Sequence, residues 1–374
     1  MAVVVRKEDA DQFIRYAAEE NLEATIVADV TDTRRLVMKW RGDTIVDISR
    51  DFLDTNGAQQ VKEAYIAKPD EAGYFHKEEI HDIKKTWLSA MADLNNCSEQ
   101  GLSERFDSTI GAGTVLMPFG GKYQKTPTDG MVAKFPVRKG ETDSASFMAH
   151  GFDPYLASWS PFHGAAYAVL LSVARLVAMG ADWRKAYLTL QEYFEKLTDK
   201  TSWGKPAAAL LGAFHMQESL GLGAIGGKDS MSGTFNDIHV PPTLVSFAIA
   251  PGKASEAVSQ ELKKEGDVLI LFGQPKDEAG MPLLDVFKAH ADFLYQEVKA
   301  GHIAAMKAVE HGGVAVTAAK MAFGNKLGAT FGENLPLFKY FSNFYGAILV
   351  ETTPELAEEF AKQPHTKILG TIGG

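Results

Sequence analysis

What this 374-residue chain has little of narrows the field first. It carries one cysteine, Cys97, so no internal disulfide can form, and a reducing compartment, the cytoplasm, fits that usage. No run of about 18 apolar residues is present, which leaves no sequence signal for a membrane span. The opening Met1-Ala-Val-Val-Val-Arg6 has no basic lead and no long apolar core, so it does not read as a signal peptide. The net charge is −10, with no strong basic clusters; non-specific nucleic-acid binding needs clustered Lys and Arg and is not expected. An anionic small molecule remains compatible, because a few local donors can hold a phosphate on an acidic protein. Walker A spacing, a Gly-x-Ser-x-Gly elbow and a His-Glu-x-x-His pair are all missing. His163, His215, His239 and His311 show no metal spacing and read as structural.

What is there describes an ordinary globular chain with a substantial core: 45% hydrophobic and 23% charged residues. Its length suggests two or three domains. Residues 1–65 read as a small α/β unit. Ala2–Val5 and Ala24–Val30 are strand candidates, Glu8–Glu20 has helical spacing, and Arg35–Ile48 suggests a hairpin about Arg41-Gly42-Asp43. Residues 66–107 read as linker and docking helix: a polar stretch, 62–77, leads in from the first unit, and His81–Leu94 is amphipathic. Within 108–251, helices are expected at Gly164–Met179 and Ala207–Leu220, with strands at Met131–Phe135 and Leu244–Ala250. Pro251–Glu265 reads as a short helix or connection. From 265 to 374 the spacing predicts a strand at Asp267–Gly273, a helix over Val286–Val309, a second over Val314–Phe323, a strand at Gly346–Glu351 and a closing strand from Lys367. The fold class is therefore α+β, with helices and strands mixed in one layer arrangement.

Four constellations could carry chemistry. Gly226-Gly227-Lys228-Asp229-Ser230-Met231-Ser232-Gly233 is the sharpest: glycines let backbone N–H groups approach a phosphate, Lys228 offers charge, Asp229 could hold Mg²⁺, and Ser230 and Ser232 offer hydroxyls. A polar turn with a capping glycine is the plainer alternative. Lys122 and Lys125 flank a turn that reads equally well as an exposed loop. Asp143 precedes a turn-rich stretch through Asp153-Pro154, where Asp153 or Ser160 could equally start a helix. Glu192, in Gln191-Glu-Tyr-Phe194, would matter if it faced a cleft; an exposed helical glutamate is the commoner situation. Cys97 has no nucleophile signature beside it.

Thr128-Asp-Gly-Met-Val-Ala133, Gly151-Phe-Asp-Pro-Tyr155, Trp159-Ser-Pro161, Leu190-Gln-Glu-Tyr-Phe194, Trp203-Gly-Lys-Pro206, Gly226-Gly-Lys-Asp-Ser-Met-Ser-Gly233 and Val240-Pro-Pro-Thr-Leu-Val245 together resemble phosphoribosylformylglycinamidine synthase, in its large single-chain bacterial form. The resemblance runs over the whole chain. It implies a synthetase core like aminoimidazole ribonucleotide (AIR) synthetase, duplicated in one chain, each half a nucleotide-binding-type domain followed by an α/β lobe. Residues 1–65 would then end the first half, 108–251 would be the second half's first domain and 265–374 its second lobe. The first half's body and the glutaminase domain would lie outside this sequence, so the chain would start inside a longer protein and be inactive alone. The implied reaction converts formylglycinamide ribonucleotide, ATP and ammonia from glutamine to the formylglycinamidine: ATP phosphorylates the amide oxygen and ammonia displaces phosphate. Mg²⁺ and ATP are the implied cofactors.

The resemblance gives Ser230 a substrate contact; Lys228 stands where the small form has a metal-binding asparagine, and a lysine there would contact phosphate directly; Asp143 matches a metal ligand at an auxiliary nucleotide site. There this sequence departs from the family. The matched helix positions are Val169 and Val173, and Ala308 stands where a carboxylate is expected near Glu310. Valines cannot coordinate Mg²⁺, so the auxiliary nucleotide is expected to be absent or weak, with apolar packing in its place. Two alternatives stay open: a structural pseudo-repeat without its own nucleotide, and a stand-alone ATP-dependent kinase or synthetase of the same superfamily.

Overall fold

The computed structural model describes residues 1–55, 61–70, 73–75, 79–332 and 335–373; parts of the expected 62–77 linker lie outside them. The chain divides into two compact units, Met1–Lys62 and Glu63–Gly374.

The first unit holds helix α1 (Ala10–Glu19) and a hairpin of β1 (Arg35–Trp40) and β2 (Asp43–Ser49). The turn falls at Arg41-Gly42, both at positive φ (51° and 96°), which is the two-residue connection that follows strand twist. Ala2–Val5 and Ala24–Val30 form no strands. Short β-branched runs become strands only where a neighbour supplies ladder bonds, and none does here. No residue of α1 is buried.

The second unit begins with α2 (Ile83–Ala92), whose first turn is capped by the Asp82 carboxylate accepting from Lys85 N–H at 2.9 Å. A six-stranded sheet follows: β3 (Thr114–Leu116), β4 (Gly130–Lys134), β5 (Ser144–Gly151), β6 (Tyr187–Tyr193), β7 (Ala224–Lys228) and β8 (Thr243–Lys253). Their order is β3-β4-β5-β8-β6-β7, antiparallel except for the β6–β7 pair. Two helices cover one face. α3 (Pro161–Ala178) is capped by Ser160, starts on Pro161, and buries every residue from His163 to Ala178 except Arg175. It alone has the length and hydropathy for a membrane span among the described helices, but those residues are spent inside the core. α4 (Lys200–Leu220) begins at a capping box of Asp199 and Ser202 and ends on Gly221 at φ 70°. The cap sets its start at Lys200, ahead of the expected Ala207, and the helix absorbs Pro206.

A five-stranded antiparallel sheet forms the second lobe: β9 (Val268–Phe272), β10 (Ala305–Ala308), β11 (Gly328–Phe331), β12 (Ile348–Thr352) and β13 (Thr366–Gly373), ordered β10-β12-β9-β13-β11. Its longer helices are α5 (Leu284–Ala300), α6 (Gly313–Phe323) and α7 (Pro354–Phe360). The single helix expected over Val286–Val309 is two elements. Gly301 at φ 73° stops α5, and Ala305-Met-Lys-Ala308 is then a fully buried strand. Of the two forms expected for Pro251–Glu265, helix or connection, it takes the second: β8 runs to Lys253 and a single 3₁₀ turn follows. α3 packs on α4, on the first sheet and on β10, so one apolar helix is shared by both lobes.

Candidate functional site

The Gly-Gly-Lys-Asp-Ser segment runs along the sheet edge. β7 pairs in parallel with β6, Leu190 opposite Gly227 and Gln191 opposite Lys228, and every residue of β7 is exposed. A Cβ on Gly227 would lie 2.3 Å from the Leu190 carbonyl oxygen, so glycine is required here for close strand approach. Beyond the strand, Ser230 N–H donates to Glu192 O (3.0 Å), and Phe194 N–H donates to Ser230 O (2.9 Å). These bonds pin the loop to the end of β6. The Ser230 and Ser232 hydroxyls lie 2.9 Å apart.

Glu192 is on a strand, not a helix, opposite Leu244 of β8 and half-buried. Its Oε1 is buried without a hydrogen-bond partner. Burial pushes its carboxyl up to about 7, and the neighbouring Asp229 charge pushes in the same direction. Two carboxylates and two hydroxyls thus gather at one edge, while the exposed Lys228, paired beside Gln191, points to the other face of the strand. An orphaned carboxylate oxygen beside a second carboxylate suits a cation. Among the described residues, no group of three or more His, Cys, Asp or Glu is arranged to hold a metal ion. The remaining ligands of any cation at this edge would have to come from elsewhere.

The other residues singled out in the sequence lie apart. Asp143 precedes β5 and accepts from Ser255 N–H (2.9 Å) and Ser255 Oγ (2.7 Å), bonds that hold its carboxyl below the usual range. Ser144 pairs with Lys253 and Glu192 with Leu244, so these two carboxylates sit toward opposite ends of β8, roughly 30 Å apart along a strand. Lys122 is anchored through its N–H to Asn325 Oδ1 (2.8 Å), and its ammonium lies 5.7 Å from the Tyr123 ring centre. Lys125 donates to Gln100 Oε1 at 2.6 Å and lines a different place, a cavity of about 870 Å³ between the two lobes.

That cavity is lined by Lys125, Asp129, Arg175, Lys307, Glu310 and Lys320 among others. Lys307 Nζ bonds Asp129 Oδ1 at 2.5 Å, and Asp129 Oδ2 accepts Ala308 N–H at 2.7 Å. Glu310 receives Lys320 at 2.8 Å and Arg175 at 3.1 Å. Burial together with Arg175 pushes the His150 imidazole down to about 4, so it is neutral near pH 7. Sequence reasoning passed over these residues as a group. Their signal is a lone charge in an apolar window: Arg175 within Leu-Ser-Val-Ala-Arg-Leu-Val, Lys307 within Ala-Met-Lys-Ala-Val, and Lys320 within Ala-Ala-Lys-Met-Ala. The α3 positions facing the cavity are Leu171 and Arg175; Val169 and Val173 are fully buried elsewhere in the core.

The two lobes, a six-stranded sheet backed by α3 and α4 and a five-stranded sheet with its own helices, define an AIR synthetase-like unit. A chain of the HypE–HypF complex shares the fold at TM-score 0.50 and 15% identity, over 74% of this chain and 92% of that one. Relatives that match over nearly the whole chain include PurL subunits of phosphoribosylformylglycinamidine synthase. That of Thermoplasma acidophilum is 23% identical over 98% of this chain and 51% of its own length. That of Thermococcus gammatolerans is 26% identical over 100% and 53%. Thermotoga maritima PurL complexed with ATP superposes at TM-score 0.64 with 16% identity, over 100% of this chain and 54% of that one. The same protein complexed with FGAR gives 0.65. The chain therefore spans about half the length of the curated relatives it matches. No family model matches it.

Proposed function

We propose that this chain is a synthetase half of a PurL-type phosphoribosylformylglycinamidine synthase, serving the ATP-dependent amidation of formylglycinamide ribonucleotide in purine biosynthesis. The observation that carries the reading is the end-to-end match to PurL subunits, with the Lys228–Ser232 loop pinned beside an unpartnered Glu192 oxygen. In this reading the partners are the other synthetase half and a glutaminase that releases ammonia.

Bound Mg·ATP would supply the phosphoryl group that activates the amide oxygen. The residues on this chain do the holding. Gly227 keeps the loop close to β6, and Lys228 sets a positive charge where phosphate oxygens would lie. Ser230 and Ser232 offer hydroxyls to the phosphate and the ribonucleotide. Asp229 and Glu192 would hold the cation, and a cation there would stabilise the ionised form of Glu192. The exposed position of β7 leaves the second wall to the other half. The face of the first sheet that bears Val245, Phe247 and Ile249, only half-buried, is the surface for it.

Thermal unfolding with Mg²⁺ and ATP, ADP or formylglycinamide ribonucleotide tests the reading. Ligand at about a hundred times its Kd adds about 2.7 kcal/mol, several degrees in midpoint. Lys228→Ala should abolish the nucleotide shift and leave the ligand-free midpoint within about a degree, as for an exposed substitution. A midpoint unmoved by all three ligands would refute a binding wall on this chain and favour the structural pseudo-repeat.

A further inference from the structure

The interlobe cavity holds more buried positive charge than a core normally tolerates. Lys307 and Lys320 are 1% and 7% exposed, and the Arg175 side chain is 13% exposed. Asp129 answers Lys307. The other two converge on a single carboxylate, Glu310: Lys320 at 2.8 Å and Arg175 at 3.1 Å, with Lys307 behind at 3.9 Å. A carboxylate ringed by two ammonium groups and a guanidinium is the arrangement by which proteins hold a phosphate or sulfate. Here the anion is part of the chain.

We propose that Glu310 is a built-in counter-anion: it fills an anion site made by Arg175, Lys320 and Lys307, and so closes this cleft to phosphate-bearing ligands. The inference goes beyond the proposed function and stands without it, since it concerns neither the Lys228 loop nor the reaction.

Three further observations support it. Arg175 belongs to α3 in the first lobe and Glu310 to the second, so the anion site exists only with the lobes together, and an internal anion keeps it filled at all times. Burial alone would raise the Glu310 carboxyl, but Lys307, Lys320 and Arg175 outweigh it and hold the group well below the ordinary range, fully charged. Arg175 also keeps a buried Nε with no partner, a donor that the single carboxylate does not reach and that a larger, three-oxygen anion could. A nucleotide in this cleft would have to displace Glu310 from all three cations and strand a carboxylate beside its own phosphates.

The test uses inorganic phosphate as probe, against sodium chloride of equal ionic strength. Glu310→Gln removes the charge and keeps the shape. Its thermal midpoint should fall below that of the unmodified chain and rise by several degrees with phosphate, while the unmodified chain shows no phosphate-specific shift. Glu310→Gln with Lys320→Met, which removes a cation as well, should lose most of the response. If Glu310→Gln is insoluble in chloride, refolding in phosphate should recover it. An equal phosphate shift in the unmodified chain would overturn the proposal, since Glu310 would not be closing the site. So would a Glu310→Gln chain that neither shifts nor refolds with phosphate, or a double variant that responds as strongly as the single one.

Discussion

Glu192 shows how a single side chain takes its chemistry from its place. On an exposed helix it would be an ordinary acid; on β6, opposite Leu244 and beside Asp229, its carboxyl rises to about 7 from 4.5. A raised acid binds its proton more tightly in the folded chain. Its contribution to stability is therefore complete below about pH 4.5 and is lost as pH climbs through 7. Glu192→Gln fixes the neutral form. The thermal midpoint of the unmodified chain should fall across that window relative to the variant, and at pH 8 the variant should unfold a few degrees higher. Parallel profiles would show that Glu192 does not carry the raised pKa. Added Mg²⁺ should stabilise the unmodified chain at pH 8 more than the variant. The sequence marked both Glu192 and the Lys228–Ser232 loop, because glycines and isolated acids are visible locally. It could not show that they touch, since the contact is a strand pairing between distant segments. The cavity charges were harder still. Arg175 and Glu310 are 135 residues apart, and Lys307 and Asp129 are 178 apart, so only folding reveals each as the other's counter-ion.

Elements were legible where one local rule dominates. Hydrophobic density gave α3, and a central glycine turn gave the β1–β2 hairpin. Composition failed where a neighbour decides. Ala305–Ala308 has helix-forming residues but becomes a strand because β12 offers it a ladder, and Ala2–Val5 has strand-forming residues but no partner. Residues 65–70 and 73–75, read as part of a plain linker, are instead held along the first lobe. Tyr65 N–H donates to Lys200 O at 2.8 Å, Trp159 Nε1 donates to Asp70 O at 2.9 Å, and the Tyr74 hydroxyl donates to the buried Asp153 carboxylate. Gly204 in the first turns of α4 makes this approach possible. A Cβ there would sit 1.8 Å from Tyr65 O, a backbone atom that cannot swing aside. Gly204→Ala should therefore destabilise, despite its better helix propensity, by about 1–3 kcal/mol as an overpacking change. Urea unfolding measures that loss, and limited proteolysis should now cut within 61–70. A stabilised variant with unchanged cleavage would mean that the segment does not rest on α4.

At the scale of the whole second unit, two sheets that share one apolar cluster must be kept in register. α3 does part of this through apolar contact with both, and the Asp129–Lys307 pair adds to it through charge, as Arg175–Glu310 does beside it. Asp129 precedes β4 in the first lobe and Lys307 lies in β10 of the second; they are 3% and 1% exposed. Apolar packing tolerates sliding, whereas a buried ion pair has one geometry, and Asp129 tightens it by also accepting Ala308 N–H. The pair's net contribution is small, because desolvating two charges offsets most of their attraction. Breaking it is another matter: it takes the near counter-ion from a buried ammonium group, leaving it only Glu310 at 3.9 Å and the Pro127 carbonyl, at up to about 3–5 kcal/mol. Asp129→Ala should cost about that much in urea unfolding, with the denaturant slope unchanged if both lobes still unfold as one. Adding Lys307→Met to Asp129→Ala removes the stranded charge and should recover about half of the loss; the orphaned Ala308 N–H keeps the remainder, at about 1–3 kcal/mol. If the single and double variants lose equally, the stranded ammonium is not the cost, and Asp129 joins the lobes through the backbone hydrogen bond alone. If the slope drops in the single variant, the lobes have come apart into two unfolding units, which would make this pair the element that couples them.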